Sequence, residues 1–254
     1  VINISLKSMK QPTFEDAIFE FKRIMSKEFL RHKELLNTDE LDIGEKNDFK
    51  NIISRNAEMT IYRSSISLLS DCLYKAYNKK VIILIDEYDV PLENAYFEGF
   101  YKPMVDLIRS AFESALKTNN SLEFSVITGC LRISKESIFT GLNNFKINTI
   151  TSHNYSNYFG FTETEVETIM NYYNVYNHFN DIKEWYNGYM FGNTKIYNPW
   201  SILNFLDEAI VNPSTLPKPY WSNTSSNSII KDLISKGDSD TREKIELLIN
   251  GGSV

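Results

Sequence analysis

Cysteine and histidine are scarce in these 254 residues, with two of the first and three of the second. Cys72 and Cys130 cannot build a disulfide framework and have no metal-ligand spacing. His32, His153 and His178 are scattered along the chain and receive no metal or catalytic role. No apolar run approaches the roughly 18 residues of a membrane span, and no signal peptide opens the sequence. Positive charge is also short. Twenty-seven basic against 33 acidic residues leave a net charge of −6, so there is no broad basic field and nucleic-acid binding by this segment is not indicated. A reducing, cytoplasmic setting is expected. Glycine is limited to ten residues, and none is followed by lysine. The Gly-x-x-x-x-Gly-Lys-Ser/Thr cradle for phosphate is therefore missing.

What is present suits a globular protein: 42% apolar and 24% charged residues. The length allows one large domain or two modest ones. Residues 1–6 read as a strand. Pro12 and Thr13 open a helical pattern, with Thr13 and Asp16 resembling a capping box and Phe14, Ile18, Phe21 and Met25 at helical spacing. Residues 36–45 are polar and read as a loop, and residues 59–77 as one helix. The run Val81-Ile82-Ile83-Leu84-Ile85 does not alternate, which predicts a strand covered on both faces. A helix is expected over 101–117, a strand over 122–128 and a further strand over 146–151. Strands separated by helices predict a parallel α/β sheet with crossover connections.

Near residue 155 the texture changes. Thr162 and Glu165 form a capping box, and Gly192-Asn193 lies between two short strand-like runs as a hairpin turn. Asn198 and Pro199 read as N-cap and first residue of a helix. Two short helices follow, near 225–236 and 241–249. The expected organisation is an α/β core over 1–155 and a mainly helical region over 156–254. Val1 opens inside a strand and residues 251–254 trail off, which predicts a segment cut from a longer chain at both ends.

The chemistry-bearing residues gather where the second strand ends. In open α/β sheets, ligands bind at the carboxyl edge. Asp86 there can hold Mg²⁺ through its water shell, and Glu87 can polarise the water that attacks a γ-phosphate. Together they read as a Walker B motif. A strand that simply ends in acidic loop residues is the bland alternative. Asp89 is read as a turn or cap residue before Pro91, with the magnesium site as the other option. Thr128 is either a γ-phosphate sensor or a strand-end hydroxyl satisfied by backbone. Arg132 can neutralise transition-state charge, in cis or from a neighbouring copy of a homo-oligomer, or sit in a surface ion pair; Lys135 is read as a surface residue. The dense aromatic segment from Trp185 to Trp200 is read as core packing in preference to a ligand or partner contact.

Residues 81–91 and 128–144 resemble the prokaryotic AAA-ATPase-like family. So do Tyr158-Phe159-Gly160-Phe161-Thr162, Trp185-Tyr186-Asn187-Gly188-Tyr189 and Tyr197-Asn198-Pro199-Trp200-Ser201. The resemblance spans nearly the whole chain. It implies a partial P-loop NTPase sheet of the ASCE type with flanking helices, followed by a helical lid or winged-helix-like region. It also implies ATP and Mg²⁺ as cofactors. A phosphate loop upstream of Val1 and a downstream nuclease-like domain of the PD-(D/E)XK type would lie outside this segment. Asp86 and Glu87 match the family's acids, and Thr128 matches the end of its sensor strand. A non-enzymatic interaction module on a degenerate P-loop scaffold is the rival reading.

Overall fold

The computed structural model describes residues 1–130, 145–221, 232, 234–250 and 252. The chain divides into two compact units, Val1–Phe145 and Lys146–Val254.

The first unit is built on three parallel strands in the order β1 (Ile2–Ser5), β2 (Val81–Asp86) and β3 (Leu122–Ile127). Helices α1 (Phe14–Arg31), α2 (Ile43–Ser54), α3 (Met59–Arg63) and α4 (Ser65–Tyr77) connect β1 to β2. Helices α5 (Val90–Glu98) and α6 (Tyr101–Leu116) connect β2 to β3. The register sets Ile2 beside Ile83 and Ile4 beside Ile85. These four side chains are buried and form one wall of the core, which Phe21, Met25, Phe29, Leu69, Ile108 and Phe112 fill from the helices.

The other face of the sheet departs from the expectation. Ile82 and Leu84 are only half-buried, and their register partners Phe124 and Val126 are exposed. A non-alternating apolar run records what a strand tolerates on each face, and among the described residues of this unit the helices cover just one of them.

The outer edge of β1 is closed by side chains of α1. The Asn3 N–H donates to Glu28 Oε1 at 2.9 Å, and Arg31 donates to the Val1 carbonyl. These two contacts occupy part of the polar edge that β1 would otherwise present. Burial pushes the Glu28 carboxyl up, but His32, Arg31 and the Asn3 N–H more than offset it and hold the group at about 2. His32 Nε2 lies 3.6 Å away, too far for a hydrogen bond, so Arg31 and Asn3 make the direct contacts. The folded value lies below the ordinary 4.5, so Glu28 stabilises the fold above about pH 4.5 and loses that effect as pH falls toward 2. The contribution is on the order of 2–3 kcal/mol. In urea unfolding, the stability gap between wild type and Glu28→Gln is expected to be widest at neutral pH. It should narrow from about pH 5 to about pH 3, and a gap independent of pH would contradict the assignment.

Three local expectations change. Residues 59–77 form two helices, because the Ser64 and Ser65 hydroxyls bond to the carbonyls of Ile61 and Tyr62 and break the helical ladder at Ser64. Residues 36–45 are not one loop: a 3₁₀ turn covers Lys33–Asn37, and Asp42 and Glu45 form a reciprocal capping box that starts α2. Residues 146–151 form no strand. Ile147 and Ile150 are exposed, and β-branched composition without a neighbouring strand to pair with does not make one.

The second unit contains α7 (Glu163–Tyr172), α8 (Phe179–Tyr186), the hairpin β4 (Asn187–Phe191) and β5 (Thr194–Tyr197), α9 (Pro199–Val211) and α10 (Ser239–Ile249). The capping box at Thr162 and Glu165 forms, and Gly192 takes the left-handed φ of 52° in the hairpin turn. Asn198 caps α9 by accepting from the Ser201 N–H, with Pro199 in the first turn. Val166, Met170, Ile182, Tyr197, Ile202 and Phe205 form its core. The helix expected near 225–236 falls largely outside the described residues. Among the described residues no helix is long and apolar enough to cross a membrane.

Candidate functional site

The strand pairing continues past the acids at the end of β2. The Leu6 N–H donates to the Asp86 carbonyl at 3.0 Å, the Thr128 N–H to Ile85 at 2.9 Å, and the Tyr88 N–H to Thr128 at 3.1 Å. Glu87 is thus held between β1 and β3 instead of fraying. Its φ is 55°, a left-handed conformation that a side chain other than glycine or asparagine rarely takes. Such positions cost about 1–3 kcal/mol and persist where surrounding structure over-determines them. Here the ladder bonds on both sides do so.

The two acids meet different strands. The Thr128 hydroxyl donates to Asp86 Oδ1 from beyond β3. The Ser5 hydroxyl, at the end of β1, donates to Glu87 Oε2 at 3.4 Å. Asp86 and Thr128 are exposed and Glu87 is half-buried. Asp86 and Thr128 therefore lie together at the carboxyl edge of two adjacent parallel strands, with Glu87 beside them.

Asp89 is 2% exposed and sits at the N-cap of α5 without a side-chain capping bond. Its carbonyl accepts from the N–H groups of Leu92 and Glu93. Gly129 packs directly against it. A Cβ at that position would stand 2.6 Å from Asp89 Oδ1 and 2.7 Å from the Tyr88 ring, so any larger residue would force these side chains to shift. Negative charge accumulates around this turn. Desolvation and then the carboxylates of Asp89, Glu87, Glu93 and Asp86 push the Cys130 thiol up. Burial raises the Glu93 carboxyl, with Lys10 opposing and Asp89 adding to the rise. A site of this sign favours a cation.

Asp86, Glu87 and Thr128 are thus brought to one edge, whereas Arg132 and Lys135 lie outside the described residues. Ser5 was not singled out from the sequence. The only signal for it there is its position, the last residue of a strand in a sheet whose neighbour ends in the acids. Among the described residues no group of three or more His, Cys, Asp or Glu side chains is placed to cage a metal ion. Mg²⁺ does not need such a cage, because it keeps several waters and takes one or two carboxylates together with substrate phosphates. The exposed Asp86 carboxylate beside the Thr128 hydroxyl is a hard-oxygen set of that kind.

In the second unit, core packing describes Tyr186 and Tyr197, which are buried. It does not describe Trp185, Tyr189 and Trp200, each about half exposed. Trp185, Tyr189 and Trp221 line an open cavity of about 390 Å³. His178 is tied to Asp181 at 3.2 Å and to the Pro213 carbonyl at 2.9 Å, a structural pairing.

A parallel sheet with flanking helices and acids at its carboxyl edge is consistent with part of a P-loop-like α/β fold. The family described as Predicted AAA-ATPase matches residues 1–139, more than half of the chain. The chain belongs to that family. It is also similar to a protein of Azotobacter chroococcum mcd 1 called "Uncharacterized protein in vnfD 5'region". The two are 28% identical over 164 residues, which is 64% of this chain and 30% of that protein. The chain thus spans about a third of the length of this curated relative. No solved structure matches it.

Proposed function

We propose that this chain supplies the metal- and water-handling half of a Mg²⁺-dependent ATPase site, and that hydrolysis drives a change between the α/β core and a helical, winged-helix-like lid. The juxtaposition of Asp86, Glu87 and Thr128 at one sheet edge carries the reading. Asp86, as the Walker B aspartate, would hold Mg²⁺ through its water shell, with Thr128 beside it. The ion when bound neutralises charge on the phosphates. Glu87 orients and polarises the attacking water and takes its proton. Thr128, bonded to Asp86, is set to exchange that bond for one to a γ-phosphate oxygen. The phosphate cradle is absent from these 254 residues; in this reading it is contributed by sequence upstream of Val1.

The test is steady-state phosphate release by the full-length protein with ATP. Magnesium-dependent turnover that stops on chelation is expected. Absence of turnover together with absence of any ATP-dependent thermal shift would instead favour the non-enzymatic scaffold, a reading that the missing Gly-Lys loop keeps in play.

A further inference from the structure

We propose that the aromatic cavity of the second unit is a docking site for a proline-rich segment of a partner protein, one flanked by lysine or arginine. Ile182 and Tyr186, four residues apart on α8, are buried, and Trp185 is left 55% exposed on the other face. Tyr189 of β4 and Trp221 join it around the cavity of about 390 Å³, and Pro219 is part of the wall. Three aromatic rings kept half in solvent make a surface on which proline rings pack. Aromatic-lined grooves hold polyproline II chains by this means, and the stiffness of such chains keeps the entropy cost of docking low.

The polar groups of the cavity select the same ligand. Among the described residues no charged side chain lines it, so it offers no ion pair to a phosphate or a carboxylate. The Trp185 indole N–H is a donor only. Asn198 Oδ1 already accepts from the Ser201 N–H, which leaves its amide N–H groups as donors. Neither residue's donor meets an acceptor among the described residues. A proline-rich chain is the complement, because each proline keeps its carbonyl and has no N–H to satisfy. The same unit already holds one proline-bearing segment in this way. Residues 215–219 form neither helix nor strand and carry Pro217 and Pro219. The Tyr186 hydroxyl donates to the Lys218 carbonyl and accepts from the Lys218 N–H, both at 2.9 Å, and Trp200 Nε1 donates to the Tyr220 carbonyl at 3.2 Å. Through Pro219 that segment forms part of the cavity wall, so a second chain would lie against the first. Charge sets the flank. Residues 146–254 hold twelve acidic and eight basic side chains, and Glu184, next to Trp185, is exposed, so basic flanks are attracted and acidic ones repelled.

The test is isothermal titration calorimetry of the full-length protein with a decaproline peptide ending in two lysines. Saturable one-to-one binding is expected. Trp185→Ala should weaken it at least about tenfold, as loss of an aromatic anchor does. Trp185→Phe keeps a ring but removes the N–H, and should weaken it about two- to tenfold. Gly188 lines the cavity and a Cβ there would meet nothing within 4 Å, so Gly188→Val should obstruct binding without disturbing the core. A peptide ending in two glutamates should bind more weakly, by a margin that shrinks as salt is added. The proposal is overturned by a lysine-ended decaproline that does not saturate the protein by about 1 mM. It is equally overturned by a decaalanine peptide with the same lysines binding as well, or by binding that survives both Trp185→Ala and Gly188→Val. Saturable binding of tetramethylammonium or adenosine, lost in Trp185→Ala while the decaproline peptide does not bind, would assign the cavity to a cation or a base instead.

Discussion

Glutamine in place of Glu87 in the full-length protein is expected to lower ATP turnover by about 100- to 10,000-fold, the range for loss of a positioned general base. That corresponds to roughly 3–5 kcal/mol of transition-state stabilisation. ATP affinity should stay within about threefold of wild type, because in the proposed mechanism the group acts on the water in the transition state and not on the bound nucleotide. The substitution is well controlled by the structure. Glutamine has the same length, its Oε1 can still accept from the Ser5 hydroxyl, and the left-handed backbone held by the Leu6 and Thr128 ladder bonds is unaltered. Only charge and basicity are removed. Phosphate release measured beside equilibrium binding of ATP separates the two effects. A substituted protein that turns over as fast as wild type would remove Glu87 from the mechanism.

The largest expected effect on stability is Phe49→Ala, at about 3–5 kcal/mol. Phe49 is fully buried in α2, and its ring lies 4.7 Å from that of Phe29 in α1 at an angle of 58°. This pair clamps α2 onto the helix whose Glu28 and Arg31 close the edge of β1. Alanine removes the ring's burial, leaves a cavity between two helices, and forfeits an aromatic contact of about 0.5–1.5 kcal/mol. Urea unfolding followed by far-ultraviolet circular dichroism should show a lower midpoint with little change in slope. Tryptophan fluorescence is the wrong probe for it, because Trp185, Trp200 and Trp221 all belong to the second unit. An unfolding free energy within about 1 kcal/mol of wild type would mean that α2 is not anchored through this ring.

Much of the local structure was legible because its causes are local. The apolar run from Val81, the capping box at Thr162, the Gly192 turn and the Asn198-Pro199 start of α9 each depend on a few neighbouring residues. The capping box at Asp42 and Glu45 was equally local and equally readable, and the polar composition around it obscured it. The misreadings share another cause. Whether residues 146–151 become a strand depends on a partner, and whether an apolar face is covered depends on what packs there. The exposed Trp185, Tyr189 and Trp200 belong to the same class: an aromatic residue's composition does not say which side of a surface it occupies.

The candidate site divides along the same line. By itself the sequence determined that two acids close an apolar strand-like run, that a threonine closes a later one, and that no phosphate cradle accompanies them in these residues. Those are statements about residue order and type. Only the tertiary structure decided that Thr128 bonds to Asp86, that Glu87 adopts a left-handed turn pinned from both sides, and that Ser5, 82 residues away in the chain, supplies its hydrogen bond. Parallel pairing joins residues that are distant in sequence, and the register that makes Ser5 the neighbour of Asp86 is set by the burial of Ile2 and Ile4 against Ile83 and Ile85.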